Sequence, residues 1–586
     1  LKYDANIYQS LVEGWRVVLS KLSSKAFRRA MIAKIGVFLP LGSLAALWLS
    51  GCEEPSVAED AGLGERRLAS GASVRGTSLE FTSSTGQQVS LDAFFGLRYA
   101  EAERFTAPRL FNYPENETVD AREFLPGQMC FQQSPMPPYQ PQGSEDCLYL
   151  DIYAPSGARN QSVMVWIHGG GLISGSKSNL GVGSLTMLAA EDVVVVAINY
   201  RLNVFGFWTN PRDPGQGLWG LRDQIAALQW VQENIQSFGG NPDSVTIFGQ
   251  SAGGLSVTAL YESPLAAGLF HRAIAQSPGW QTSAQYQRSA SLAGESMGHA
   301  CMEAMKCLDL ECMQQFNSSW LLKGCSDYTD PSMFLANSSA IFAGFDSHIL
   351  KAGLYEPVCG EELLASAQKP LMIGSLLHEW TYMAETQYGR DQYGSPMEVA
   401  EAFLSSSLSG YSSASAKLQS CALEELKKPY VNLSWPCENE DCALVQLVSD
   451  LSFTIGAQLL SEMAGGPRYR YLMETTRSSH GNDICFFYDR PGEHCPQSSP
   501  KAGQMLREYW TSFAKTGRPS SVLGPEWLPV ERSEDVPMMY LNFTSDGSTS
   551  AMRSTTFSSA KLFARVACGK VTLQGSSNGG CMFAFN

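Results

Sequence analysis

Short, uninterrupted apolar runs alternate along this chain with longer stretches in which apolar residues recur every third or fourth position. The clearest short runs are 163–167 (VMVWI), 193–198 (VVVVAI), 245–248 (VTIF), 371–373 and 469–473. Runs of that length without polar alternation suit strands buried on both faces. Between Trp219 and Phe238, the residues Leu221, Ile225, Leu228 and Ile235 fall at helical spacing, and 255–261 also reads as helix. Strand and helix signals in alternation predict an α/β fold, with a central mostly parallel sheet flanked by helices. From 395 to 443 the chain turns rich in Ser, Leu and Glu, which reads as helical insertions and loops. Neither a repeat nor a Pro-rich or Gly/Ser-rich linker breaks the middle. Residues 72–565 are therefore expected to form one domain, preceded by a linker at 53–71 and followed by a Gly/Ser-rich, Cys-containing tail at 566–586.

The N-terminal pattern differs. Lys21, Lys25, Arg28, Arg29 and Lys34 precede an uncharged apolar run at 35–49, and the small residues Ser50 and Gly51 follow. That is the order of a signal peptide, so 1–52 reads as upstream sequence plus a signal peptide, with Met31 as a natural start. The segment Leu49-Ser50-Gly51-Cys52 also resembles a lipobox, in which Cys52 would carry a lipid. Contact with a membrane is expected only if this segment is retained or Cys52 is lipidated. The tail has no hydrophobic end, which argues against a GPI anchor.

Composition sharpens the compartment. Fifteen cysteines without a tight C-x-x-C pair point to disulfides in an oxidising compartment rather than to zinc. Sequons at Asn116, Asn160, Asn317, Asn337, Asn432 and Asn542 fit a secreted glycoprotein. A net charge of -15 gives no basic footprint for nucleic acid.

The strongest chemical signal is Gly249-Gln250-Ser251-Ala252-Gly253, directly after the run VTIF. A G-x-S-x-G pentapeptide is common by itself. Placed between a strand and a helix, it reads as a nucleophile elbow that exposes the serine on a tight turn. His168-Gly169-Gly170-Gly171 ends another strand. Cleaving an ester creates an oxyanion, and glycines let backbone N–H groups approach that oxygen. The N–H groups of Gly170, Gly171 and Ala252 are the expected oxyanion hole. The triplet lacks the GK[ST] ending of a phosphate loop.

With these motifs the chain resembles the type-B carboxylesterase/lipase family of α/β-hydrolases, which includes cholinesterases, bile-salt-type lipases and neuroligins. The resemblance runs through 144–150 (SEDCLYL), the HGGG segment, Asn199-Tyr200-Arg201-Leu202, 238–242 (FGGNP), 268–274 (GLFHRAI) and 509–517 (YWTSFAKTG). It implies an α/β-hydrolase fold and a serine ester hydrolase acting through an acyl-enzyme on small-molecule or lipid esters, with no metal or organic cofactor. It also implies the chain order Ser251, Glu379, His480 for nucleophile, acid and base. Glu379 follows Leu371-Met372-Ile373-Gly374, with Trp380 where the family has glycine, and His480-Gly481 supplies the H-G pair. His378 reads as a bystander beside the acid. By the same resemblance Cys130 pairs with Cys147 and Cys301 with Cys312; Cys437–Cys442 and Cys485–Cys495 are expected only from proximity.

Departures from the family pattern concern the pocket. Leu172 follows the glycines where phenylalanine is usual, and 96–101 (GLRYAE) lacks the usual prolines. Cholinesterases carry a tryptophan between the first two disulfide cysteines and a glutamate before the nucleophile. Here that loop has no tryptophan, Tyr139 being its candidate ring, and the residue before the nucleophile is Gln250. Neutral esters are therefore the expected substrates. The rival readings are a catalytically silent, neuroligin-like adhesion ectodomain and a lipase for long-chain glycerides.

Overall fold

The chain divides between Ser56 and Val57, and the main sheet with its flanking helices belongs to the second part. The computed structural model describes residues 65–82, 88–134, 140–208, 217–278, 301–325, 368–379, 449–475, 479–487, 499–530 and 537–543, with smaller pieces at 56–57, 299, 446, 551–554, 571–574 and 582–585. The insertion expected at 395–443 lies outside the described residues.

The main sheet is built from β1 (Thr77–Thr82), β2 (Gln88–Arg98), β3 (Tyr149–Pro155), β4 (Gln161–Ile167), β5 (Val194–Ile198), β6 (Gly240–Gln250), β7 (Arg272–Gln276), β8 (Leu371–Leu376), β9 (Arg468–Thr475), β10 (Pro537–Phe543) and β11 (Ala551–Ser554). In space they run β1-β2-β3-β5-β4-β6-β7-β8-β9-β10-β11. All pairs from β5 to β10 are parallel. The pairs at either end are antiparallel. The five apolar runs all lie inside this sheet, and each strand extends to or beyond its run apart from Val193. The reason is burial on both sides: every residue of β5 and β8 is buried.

Alternate residues of the central strands enter different layers, as the two-residue period of a strand requires. Val163, Val165 and Ile167 join Val194, Val196 and Ile198 against α1 (Trp219–Asn234) and α2 (Ala252–Glu262). Met164, Trp166, Val195 and Phe248 face α3 (Pro500–Thr516) through Leu506, Tyr509, Trp510 and Phe513. Helix α3 has legible ends. Ser499 Oγ accepts from the Ala502 N–H at 3.2 Å, Pro500 opens the first turn, and Gly517 closes the last at φ 77°. In the tail, Val571–Gln574 pairs antiparallel with Met582–Phe585.

The strand order creates the site. From β4 the chain moves to β5 on one side, then returns across β4 to β6 on the other. Ligands in such sheets bind beyond the carboxyl ends of strands where the winding reverses. Register places Ile167 of β4 opposite Gly249 of β6, so the two glycine-rich turns emerge side by side.

Candidate active site

Ser251 stands between the last residue of β6 and the first of α2, with φ 60° and ψ -126°. Few non-glycine residues adopt such a conformation, and it persists only where the surroundings hold it. Here the Ser251 N–H donates to the Gln276 carbonyl at 2.9 Å and its own carbonyl accepts from Leu255 N–H at 2.9 Å. The flanking glycines are steric requirements. A Cβ on Gly249 would lie 2.6 Å from the Ile167 carbonyl oxygen, and one on Gly253 would overlap the same oxygen. Helix, elbow strand and β4 approach this closely only because both positions lack side chains.

The second turn is held as firmly. Gly170 has φ 105°, and its carbonyl accepts from the N–H groups of Ile173 and Ser174. His168 is buried beneath it, stacked on Tyr200 at 4.3 Å, with Nδ1 hydrogen-bonded to the Gly169 carbonyl at 2.8 Å. Since a carbonyl only accepts, the proton lies on Nδ1. Burial, opposed by that hydrogen bond, brings the His168 pKa down to about 4, so the ring stays neutral under ordinary conditions. Among the described residues, no group accepts from the N–H groups of Gly170, Gly171 or Ala252. Ala252 opens α2, where the helix leaves donors unpaired and favours negative charge.

Glu379, just after β8, and His480, in the segment after β9, meet at the elbow. His480 Nε2 lies 2.6 Å from Ser251 Oγ, and Nδ1 lies 2.7 Å from Glu379 Oε2. The other carboxylate oxygen accepts from the Leu376 N–H at 2.7 Å, and the His480 N–H donates to the Glu379 carbonyl at 3.1 Å. Glu379 is sealed at 0% exposure, whereas the His480 side chain keeps 22%. The acid is thus closed off while the base can be reached from outside. His378 points elsewhere, its Nδ1 2.7 Å from Gln446 Oε1. Trp380 lies outside the described residues.

Sequence reasoning missed Phe453 and Asp483, and it named Gln250 without placing its amide beside the base. The Phe453 ring packs 4.7 Å from the His480 ring, and Gln250 Nε2 stands 3.4 Å from His480 Nε2. Three residues beyond His480, Asp483 is fully buried, and its Oδ2 accepts from Gln276 Nε2 at 2.7 Å. Its only sequence signal is an acid three residues after the candidate base, at the head of an apolar segment. The shared motif Asn199-Tyr200-Arg201-Leu202 serves as scaffold. Tyr200 OH donates to the His168 carbonyl, and Arg201 forms a buried two-pronged pair with Asp223.

One disulfide expectation needs correction. Cys130 pairs with Cys147 as expected. Cys301 pairs with Cys325, not with Cys312, and Cys312 pairs with Cys307. Helix Ser318–Gly324 places Cys325 at its C-cap, where its Cα stands 4.9 Å from that of Cys301. That leaves Cys312, at the start of Leu310–Gln315, beside Cys307. Cys485 is disulfide-bonded; Cys495, Cys437 and Cys442 lie outside the described residues.

Residues 66–559 match the family described as "Carboxylesterase family". Carboxylesterase 1C of Rattus norvegicus is 32% identical over 419 residues, covering 67% of this chain and 72% of its own. The medium-chain fatty acyl-CoA hydrolase precursor of Anas platyrhynchos is 30% identical over 511 residues, covering 79% and 86%. Among solved structures, a PNB esterase superposes with a TM-score of 0.66 at 26% identity, over 85% of this chain and 99% of the other.

Proposed function

The chain belongs to the carboxylesterase family and is a carboxylic-ester hydrolase with the α/β-hydrolase fold; from that premise we propose that it cleaves neutral carboxylic esters through an acyl-enzyme on Ser251, with His480 as base and Glu379 as supporting acid. The observation that carries this reading is the unbroken line from Ser251 Oγ to His480 Nε2 and from Nδ1 to Glu379 Oε2, at 2.6 and 2.7 Å.

His480 Nδ1–H donates to the Glu379 carboxylate and keeps its proton, which leaves Nε2 with its lone pair towards the serine hydroxyl. His480 takes the Ser251 proton as Oγ attacks the ester carbonyl, then gives it to the departing alcohol. Glu379 keeps the ring oriented and stabilises the imidazolium. The N–H groups of Gly170, Gly171 and Ala252 receive the oxyanion. Water then enters by the same base and releases the acid. Ser251→Ala should lower kcat by about 10³-fold or more on a nitrophenyl ester while the protein stays folded. Wild-type-like turnover in that variant, with contaminating esterases excluded, sinks the assignment.

We also propose that the protein is exported and matures in an oxidising compartment. The three disulfides among the described residues support this, as do sequons at the exposed residues Asn116, Asn160 and Asn317. No helix among the described residues is long and apolar enough to cross a membrane. Intact-mass analysis of freshly released protein should show a start near Cys52 and most remaining cysteines oxidised; a fully reduced chain refutes the proposal.

A further inference from the structure

We propose that Gln132 is a positioning residue for ester hydrolysis: its buried side-chain amide clamps Gly175 and so holds the turn from Gly169 to Gly175 that presents the oxyanion donors. The proposal rests on the Ser251–His480–Glu379 reading, with its oxyanion hole at Gly170, Gly171 and Ala252. It begins from an amide whose every polar position is used. Gln132 is 2% exposed. Its Oε1 accepts from the Gly175 N–H at 2.8 Å, and its Nε2 donates to the Gly175 carbonyl and to the Cys130 carbonyl, each at 2.9 Å. The first two bonds copy the exchange between paired residues of an antiparallel ladder, with a side chain in place of a strand. The third folds the side chain back on its own segment. The Cys130–Cys147 disulfide and the Phe131 N–H, which donates to the Ser144 carbonyl, keep that segment in place.

Gly175 matters because of what it touches. At φ 111° it passes so close to the entrance of the turn that a Cβ would lie 2.5 Å from His168 Nδ1 and 2.6 Å from the Gly169 carbonyl oxygen. Those two atoms are hydrogen-bonded to each other. One residue earlier, Ser174 donates both its N–H and its hydroxyl to the Gly170 carbonyl. A trans peptide is planar, with C=O and N–H pointing opposite ways. Holding the Gly169 carbonyl at His168 therefore turns the Gly170 N–H away from the imidazole. Holding the Gly170 carbonyl inside the turn does the same for the Gly171 N–H. Both donors take their direction from carbonyls that Ser174 and Gly175 brace. The segment beside Gln132 reaches the turn a second time through Asn203, whose Nδ2 donates to the Phe131 carbonyl and whose N–H donates to the Leu172 carbonyl at 2.7 Å. Gly175 itself has no partner other than Gln132 for its N–H or carbonyl among the described residues.

The test measures kcat and KM on a soluble neutral ester, and affinity for a trifluoromethyl ketone, in the intact protein, Gln132→Met and Ser251→Ala. The ketone becomes an oxyanion when Ser251 Oγ adds to it, whereas the bound ester in its ground state carries no such charge. Methionine fills similar space without the three hydrogen bonds. Misplacing a preorganised donor weakens transition-state stabilisation and leaves ground-state binding alone. We expect kcat to fall about 10-fold in Gln132→Met, less than for outright loss of an oxyanion donor. KM should be unchanged, and ketone affinity should fall by the same factor as kcat. Native kcat in the folded variant overturns the proposal. So does a lower kcat with native ketone affinity, or a raised KM with native kcat, since neither touches the oxyanion. Gln132→Glu keeps the acceptor for the Gly175 N–H and gives up both donors; it is read by the same outcomes where the methionine variant does not fold. Turnover surviving in Ser251→Ala instead overturns the underlying nucleophile assignment.

Discussion

At the scale of single residues, the burial of Asp483 ties stability to pH. Its pKa is about 6 in the fold against a reference of 3.8. Between those values the folded chain keeps a proton that the unfolded chain has released. Stability therefore falls as pH rises through that window, and the penalty is complete above it. Asp483→Asn should raise Tm by roughly 1–3 °C at pH 7–8, with the gain fading towards pH 4. Thermal scans across pH check this, and a gain independent of pH counts against it. His168 has the opposite slope. Burial lowers its pKa from 6.5 to about 4, so the folded chain resists a proton that the unfolded chain accepts, and stability rises with pH between those values. From about pH 4 to 6 the two groups oppose each other. A flat stability curve in the native protein would therefore conceal two active titrations, which the asparagine variant would separate.

At the scale of elements, the turn from β6 to α2 is where sequence and structure correspond most directly. Gly253→Ala forces a methyl into the Ile167 carbonyl, which belongs to the neighbouring strand's backbone and cannot swing aside. We expect that variant to lose both activity and several kcal/mol of stability. Gly127→Ala, whose new methyl meets nothing within 4 Å, should stay within about 0.5 kcal/mol of the native protein. Denaturant melts of the pair decide it, and equal effects would remove the steric account of the motif. The elbow and the HGGG turn were legible because each is a contiguous demand for close backbone approach. The central strands were legible because burial on both faces leaves an unbroken apolar run. Glu379 and His480 were recognised through resemblance, since no local pattern brings residues 101 positions apart to one carboxylate. The disulfides of 301–325 were misread because four nearby cysteines allow three pairings, and the fold-back of a seven-residue helix selects among them. Asp483 escaped because a buried acid looks like a surface acid until its neighbours are known.

At the scale of the whole molecule, charge sets a contest between long-range attraction and local recognition. With 57 acidic and 42 basic residues, the protein attracts cations from a distance, which raises encounter rates at low salt. Turnover of a choline ester requires more, because its quaternary ammonium must be held once water is excluded. An indole face does this best, contributing roughly 2 kcal/mol when desolvated, and the segment between Cys130 and Cys147 contains no tryptophan. A carboxylate beside the nucleophile would help further. That place belongs to Gln250, 4% exposed, with its amide nitrogen 3.4 Å from His480 Nε2. An amide there offers dipoles but no charge, so the cation gains little in the pocket beyond what steering brought. Butyrate or acetate esters of neutral alcohols should therefore exceed the matching choline ester in kcat/KM. Added salt should weaken the choline reaction more, since only that substrate is steered. Measuring both esters at low and physiological ionic strength checks the reading. A clear preference for choline at physiological salt would mean that a cation site exists in the pocket and that Gln250 does not set the substrate's charge.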